Sequence, residues 1–254
     1  MRTSEAPPHS SPTETAIGVQ AAVPWGHRDL LFAVLLAAGV GLGSSLTLGL
    51  VVALVLPRDS LPREGLVLAA LVLEVALGAA AWFFSVRKYR CPWSLLGLGR
   101  WLGPRDVLWI WAGLVAGLAI NLGYARLLEG LGWSKLLPPP PPLPLEAGSP
   151  GLLMTALLVS LVAPLSEEMF FRGFLYGGLS SRHGLWRAAL FSSLLFALFH
   201  MDPRTLLPVF LLGLLLAGLY VRRRTLWAPV FVHLGYNSTM LLVLVETASQ
   251  GAAT

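Results

Sequence analysis

Three short sets of residues in this chain have the types and spacing to do chemistry. Glu167 and Glu168 are followed by Arg172, Phe196 by His200 and His233 by Asn237, each of the last two pairs four residues apart. A carboxylate and an imidazole can together hold and deprotonate a water. A second imidazole and an amide N–H can then donate hydrogen bonds to a developing oxyanion, which is what amide hydrolysis requires. Glu167, His200 and His233 could equally bind Zn²⁺ and activate its water, although the H-E-x-x-H helix signature of soluble metalloproteases is absent from the sequence. Burial of Glu167 would disfavour its charged form and Arg172 would favour it, so sequence alone leaves that balance open.

These groups sit in apolar surroundings. At the centre of a membrane helix an acidic or basic residue costs about 2.5–3.5 kcal/mol on insertion scales, so two carboxylates and a guanidinium within six positions require partners, water or a use. The mean hydropathy of +0.71, with 56% hydrophobic and 12% charged residues, is far from the roughly 25% charged residues of a soluble domain. The expected fold is an all-α polytopic membrane bundle. Seven apolar runs, at 30–56, 66–86, 107–128, 152–179, 185–199, 206–221 and 226–245, supply the segments. Most can span about 30 Å of hydrocarbon, and the fifth and sixth are short. The organisation reads as a flexible tail at 1–28, three membrane helices within 29–137, a proline-rich linker at 138–150, the motif-bearing helices at 151–246 and a short tail at 247–254. The opening residues lack a basic region leading directly into a short apolar core, so they do not read as a signal peptide.

Lys and Arg set the orientation. Outside the Glu167 stretch, twelve lie on the side of the N-terminus and five on the other, which predicts a cytoplasmic N-terminus in a cell membrane. The same distribution argues against nucleic acid as a partner, despite a net charge of +5, because the charges alternate with apolar runs. Depth can be compared along the helices. Glu167 is about 22 Å of helix from Arg182 and His200 about 25 Å from His183, while His233 and Asn237 are about 14 and 20 Å beyond Arg224. All four therefore fall in one slab, with approach expected from the cytoplasmic side. Within the fourth segment Glu168 and Arg172 share a helical face and can pair, and Glu167 points about 100° away.

The remaining signals are structural. Pro138 to Pro142 with Pro144 form a stiff extended spacer. Glu74 and Asn121 are intramembrane polar groups without a motif and read as structural pairing, and Phe196 reads as packing. Trp25, Trp93, Trp101, Trp109, Trp186 and Trp227 lie near segment ends and suit an interfacial belt. Arg222, Arg223 and Arg224 read as a positive-inside anchor. Cys91 has no second thiol with which to pair. No internal repeat and no Gly-rich phosphate loop supports a transporter or a pump.

The ordered set of Glu167-Glu168-x-x-x-Arg172, Phe196-x-x-x-His200 and His233-x-x-x-Asn237 resembles the three motifs of the CPBP family, the CAAX proteases and bacteriocin-processing enzymes also called the Abi family. The resemblance covers roughly the last 100 residues. It implies that Glu167 and His200 activate the attacking water, that His233 and Asn237 form the oxyanion site, and that Glu168 and Arg172 support them. It implies a glutamate-dependent endopeptidase acting on a peptide or membrane-protein substrate within the lipid bilayer, with no required cofactor; Zn²⁺ held by Glu167, His200 and His233 is the alternative. The different-class alternative is a non-catalytic immunity or scaffold protein that keeps the polar motifs for helix packing.

Overall fold

The computed structural model describes residues 22–55, 63–146 and 148–252, and within them every regular element is helical. Seven helices correspond to the seven apolar runs: α1 (His27–Val55), α2 (Arg63–Arg87), α3 (Pro104–Gly130), α4 (Pro150–His183), α5 (Leu185–Phe199), α6 (Leu206–Arg223) and α7 (Trp227–Ala252). Six are long and apolar enough to cross a membrane, and α5, at 15 residues, is shorter. The protein is thus a multi-pass membrane helical bundle. Exposed Leu31, Phe32, Leu35, Leu46 and Leu54 on α1, with Leu108, Trp111 and Val115 on α3, form the apolar outer surface that lipid would cover.

Local sequence fixes where the helices start and stop. Pro104 and Pro150 open α3 and α4 at the first-turn position, where a missing N–H costs nothing. Ser149 caps α4 by accepting from the Leu152 N–H at 3.1 Å. Gly184, at φ +81°, makes the one-residue reversal between α4 and α5. After a 3₁₀ turn at Ser134–Leu136 the chain carries no regular element through Glu146, and an Arg63–Glu146 ion pair of 2.8 Å ties the linker to the start of α2.

Helix α4 is the axis of the bundle, packed against α2, α5 and α7, while α3 lies against α6 and α7. It is not a uniform α-helix. Wide π-type turns occupy Leu158–Val162 and Glu168–Tyr176, on either side of Pro164. Pro164 has no N–H to give to the preceding turn, and a wider turn is one way a helix absorbs that loss. Close approach elsewhere depends on small residues: a Cβ on Gly173 would lie 2.8 Å from the Leu96 carbonyl oxygen, and one on Gly213 2.9 Å from Ser193 Cβ.

The two ends of the sequence divisions differ from expectation. The tail residues 1–21 lie outside the described residues, but Val23 and Trp25 are buried, and Trp25 donates Nε1–H to the Phe174 carbonyl at 3.0 Å. Trp25 is therefore core rather than interfacial belt, because its N–H finds an acceptor inside. Helix α7 continues to Ala252, through residues read as tail.

Candidate active site

The first motif is carried on the second wide turn of α4. Glu168 and Arg172 are fully buried and joined by a 2.7 Å salt bridge, and Arg172 Nη2–H also donates to the Gly213 carbonyl of α6 at 3.2 Å. Burying a charge is tolerable only with such pairing. His233 enters from α7 with Nδ1 3.0 Å from Glu168 Oε1 and Nε2 3.4 Å from Glu167 Oε2. Wider turns reduce the angle between successive residues, so both carboxyls reach one imidazole. Glu167 nevertheless stays outside the Arg172 salt bridge, as its face predicts, and its side chain keeps 13% exposure where Glu168 has none.

Phe196, on α5, is the hub. Its fully buried ring lies 4.3 Å from the Arg172 guanidinium and 5.0 and 5.7 Å from the rings of His200 and His233. It packs, as read from sequence, and it also sets the spacing between all three motifs. His200, immediately after α5, turns Nδ1 to the Phe196 carbonyl at 2.9 Å and is exposed on its other side. It forms no ion pair with either carboxylate among the described residues.

Asn237 Nδ2–H donates to the Val159 carbonyl of α4 at 3.0 Å. In a turn with five-residue spacing, Val159 would accept the N–H that Pro164 lacks. Asn237 replaces that donor and keeps its second N–H. His200, Asn237 and Val159 then line a cavity of about 640 Å³, closed on the far side by Pro138, Pro139, Pro140 and Pro141 and by Met240 and Leu244. The linker prolines in its wall put this cavity at the linker end of the bundle, opposite the approach expected from the depth of the motifs.

At the cavity rim Asp202 accepts from Arg204 Nε at 3.0 Å, Nη2 at 3.1 Å and the Arg204 backbone N–H at 3.0 Å. The guanidinium, helped by the backbone N–H, holds this carboxyl below its ordinary range. Among the described residues no three His, Cys, Asp or Glu side chains converge as a metal-ligand set, so the zinc arrangement of Glu167, His200 and His233 is not formed.

Sequence reading took Glu74 as structural pairing, but its Oε2 is buried without a hydrogen-bond partner among the described residues. It is 6% exposed on α2. The available signal was a lone acid in an apolar span with no base three or four residues away. Asn121, by contrast, donates to Met240 Sδ at 3.2 Å and lines the cavity wall.

Comparison with known proteins addresses this same part of the chain. Residues 149–239 match the family described as type II CAAX prenyl endopeptidase Rce1-like. This segment is homologous to that family. The chain also aligns with "Putative membrane peptidase YdiL" of Bacillus subtilis at 33% identity over 90 residues, covering 35% of this chain and 37% of that protein. It aligns with "Uncharacterized 24.3 kDa protein" of Escherichia coli at 35% identity over 98 residues, 37% of this chain and 45% of the other. A third relative, "UPF0177 protein YxdF" of Lactococcus lactis, is 31% identical over 87 residues, 34% and 48% of the two chains. The aligned part thus spans less than half of each of these bacterial relatives. No solved structure matches the chain. All of motifs one and two, and His233 with Asn237 of motif three, fall inside the matched segment.

Proposed function

We propose that the protein is an intramembrane endopeptidase whose base is Glu167. The observation that carries this reading is the unequal environment of two adjacent carboxyls: Glu168 is sealed in an ion pair with Arg172, whereas Glu167 is partly open beside His233. Glu168 and Arg172 support, and Glu167 is left to act.

In the proposed reaction an extended peptide from a peptide or membrane-protein substrate enters the cavity beside the linker. A water held by Glu167 and His200 attacks the scissile carbonyl carbon while Glu167 takes one of its protons. The new oxyanion accepts hydrogen bonds from the second Asn237 N–H and from His233 as imidazolium, whose Nδ1–H stays on Glu168 and whose Nε2–H, at 3.4 Å, is only weakly engaged by Glu167. Glu167 then passes its proton to the amide nitrogen as the C–N bond breaks, so the enzyme ends in its starting state. No step requires a metal ion. With the N-terminus cytoplasmic, as the Lys and Arg distribution predicts, the cavity faces the opposite side of the membrane.

The test compares purified wild type with Glu167→Ala and His200→Ala, each inserted and folded. Loss of the general base and of the water-orienting group should each cost about 10²–10⁴ in kcat. Comparison of the membrane proteome of cells carrying wild type or Glu167→Ala, for accumulated precursors and new termini, identifies the substrate. The scaffold reading draws on Asn237 and Arg172, which both cross-link helices through backbone carbonyls. Equal complementation of a cellular phenotype by wild type and Glu167→Ala would favour it.

A further inference from the structure

Arg172 is tied to two helices besides its own, and the two ties meet at one contact. Its Nη2–H reaches the Gly213 carbonyl of α6 at 3.2 Å, and its guanidinium lies 4.3 Å from the Phe196 ring of α5. Helices α5 and α6 touch at Gly213 itself. A Cβ added there would lie 2.9 Å from Ser193 Cβ and 3.2 Å from Ser193 Cα and Oγ. Both residues are buried. Ser193 precedes Phe196 by three residues and His200 by seven, so the three share one face of α5 and of the residue that follows it.

A methyl group at position 213 has no room. Ser193 Cβ is fixed to the α5 backbone and cannot swing away as the end of a long side chain would, so one helix has to move until the carbons are about 3.5–4.0 Å apart. If α6 yields, the Gly213 carbonyl leaves Arg172, whose hydrogen bond at 3.2 Å is already at the long end of its range. If α5 yields, the Phe196 ring leaves the guanidinium and His200 moves with it. Whichever helix gives way, Arg172 loses a neighbour, and Glu168 and His233 are bonded in series behind it.

We propose that Gly213 and Ser193 are positioning residues of the peptidase site, whose close contact seats α5 on α6 and so delivers the Gly213 carbonyl and the Phe196 ring to Arg172 together. This inference rests on the peptidase reading. Neither residue touches the substrate. Their contribution is their small size, and the Ser193 hydroxyl is not needed for it.

The test uses full-length protein in lipid nanodiscs and, as substrate, the membrane precursor that accumulates in Glu167→Ala cells. Kinetics are measured well below the Tm of each variant, where a loss of stability alone leaves kcat unmoved. Gly213→Ala should lower kcat about tenfold with KM little changed. Adding Ser193→Gly should recover most of kcat and of the lost Tm, because the exchange moves the glycine from one helix to the other. Ser193→Ala keeps the Cβ and removes only the hydroxyl, and it should retain most of kcat. Gly218→Ala, on the same helix with nothing within 4 Å of the added Cβ, should match wild type. Where Gly213→Ala alone does not fold, the Gly213→Ala/Ser193→Gly exchange takes its place, since it should both fold and cleave. Wild-type kcat in folded Gly213→Ala, or an exchange variant that folds without cleaving, would overturn the positioning role. A loss in Ser193→Ala as large as that in Gly213→Ala would overturn size as the cause. A wild type that cleaves no membrane precursor, while the exchange still restores Tm, would overturn the peptidase reading and leave the contact standing.

Discussion

Two buried carboxylate sites in this bundle show opposite ways of accommodating charge. At the N-terminal side, Asp106 in the first turn of α3 accepts from Arg100 at 2.9 and 3.1 Å, from Arg223 at 2.6 Å and from the Gly103 N–H at 2.7 Å. Arg100 closes the network by donating to the Arg223 carbonyl. Both Asp106 oxygens are satisfied, and one carboxylate meets two cations. The Glu167 cluster has the reverse stoichiometry, two carboxyls to one guanidinium, and among the described residues it leaves Glu168 Oε2 and Arg172 Nε buried without hydrogen-bond partners. A saturated ion cluster stitches α3 to the end of α6. An unsaturated one, next to a cavity, keeps capacity for a proton and for another polar molecule.

The comparison can be broken most severely at Arg172. Arg172→Met should destabilise the protein by about 3–5 kcal/mol, because it strands the buried Glu168 charge, and should abolish activity with it. Adding Glu168→Leu should restore much of the stability, since removing both partners of a buried pair is far less costly than removing one, yet cleavage should stay lost because His233 loses its Nδ1 partner. Thermal unfolding in detergent and a peptide-cleavage assay separate the two effects. Asp106→Asn should cost less, about 1–3 kcal/mol for weakened charged hydrogen bonds, and should leave kcat per folded molecule unchanged. If Asp106→Asn and Arg172→Met had the same profile, the distinction between saturated and unsaturated clusters would collapse.

Much of this contrast was legible in the sequence, and the reasons it was not wholly so are physical. Helix existence followed from apolar runs against polar punctuation, and the Glu168–Arg172 pair from four-residue spacing, which survives in the wide turn. What the sequence could not carry was the turn itself: Pro164 announces a defect in α4, but not that the defect widens the helix enough to bring both Glu167 and Glu168 to His233. Nor does spacing along one helix reveal a meeting between helices. Gly78 and Ser166 are far apart in sequence, and only the packing of α2 on α4 brings them together. Arg223, read as a lipid anchor, is spent on Asp106, while Arg222 lies 4.4 Å over the Trp109 ring. Trp25 was misplaced for a related reason, since a tryptophan near a helix end suits an interface until a buried carbonyl takes its N–H.

The smallest expected effect lies at the cavity rim, and it extends the comparison to a charge that is paired but wet. Asp202 and Arg204 form a local pair 40% and 28% exposed at the Arg and Asp side chains, where water and salt screen the attraction. Arg204 holds the Asp202 carboxyl below its ordinary value, so the contribution of this pair is complete above the ordinary carboxylate range, near pH 4, and is lost as pH falls through the depressed folded-state value. Asp202→Asn removes it at every pH. Because the pair shapes the loop that borders the cavity without touching Glu167 or His233, the substitution should change KM by no more than about fivefold and leave kcat unaltered. Steady-state kinetics at neutral pH and moderate salt measures both constants. A large fall in kcat would mean that the rim loop positions His200 through Asp202, and the boundary between structural and reactive charge would then have to be drawn one turn further out.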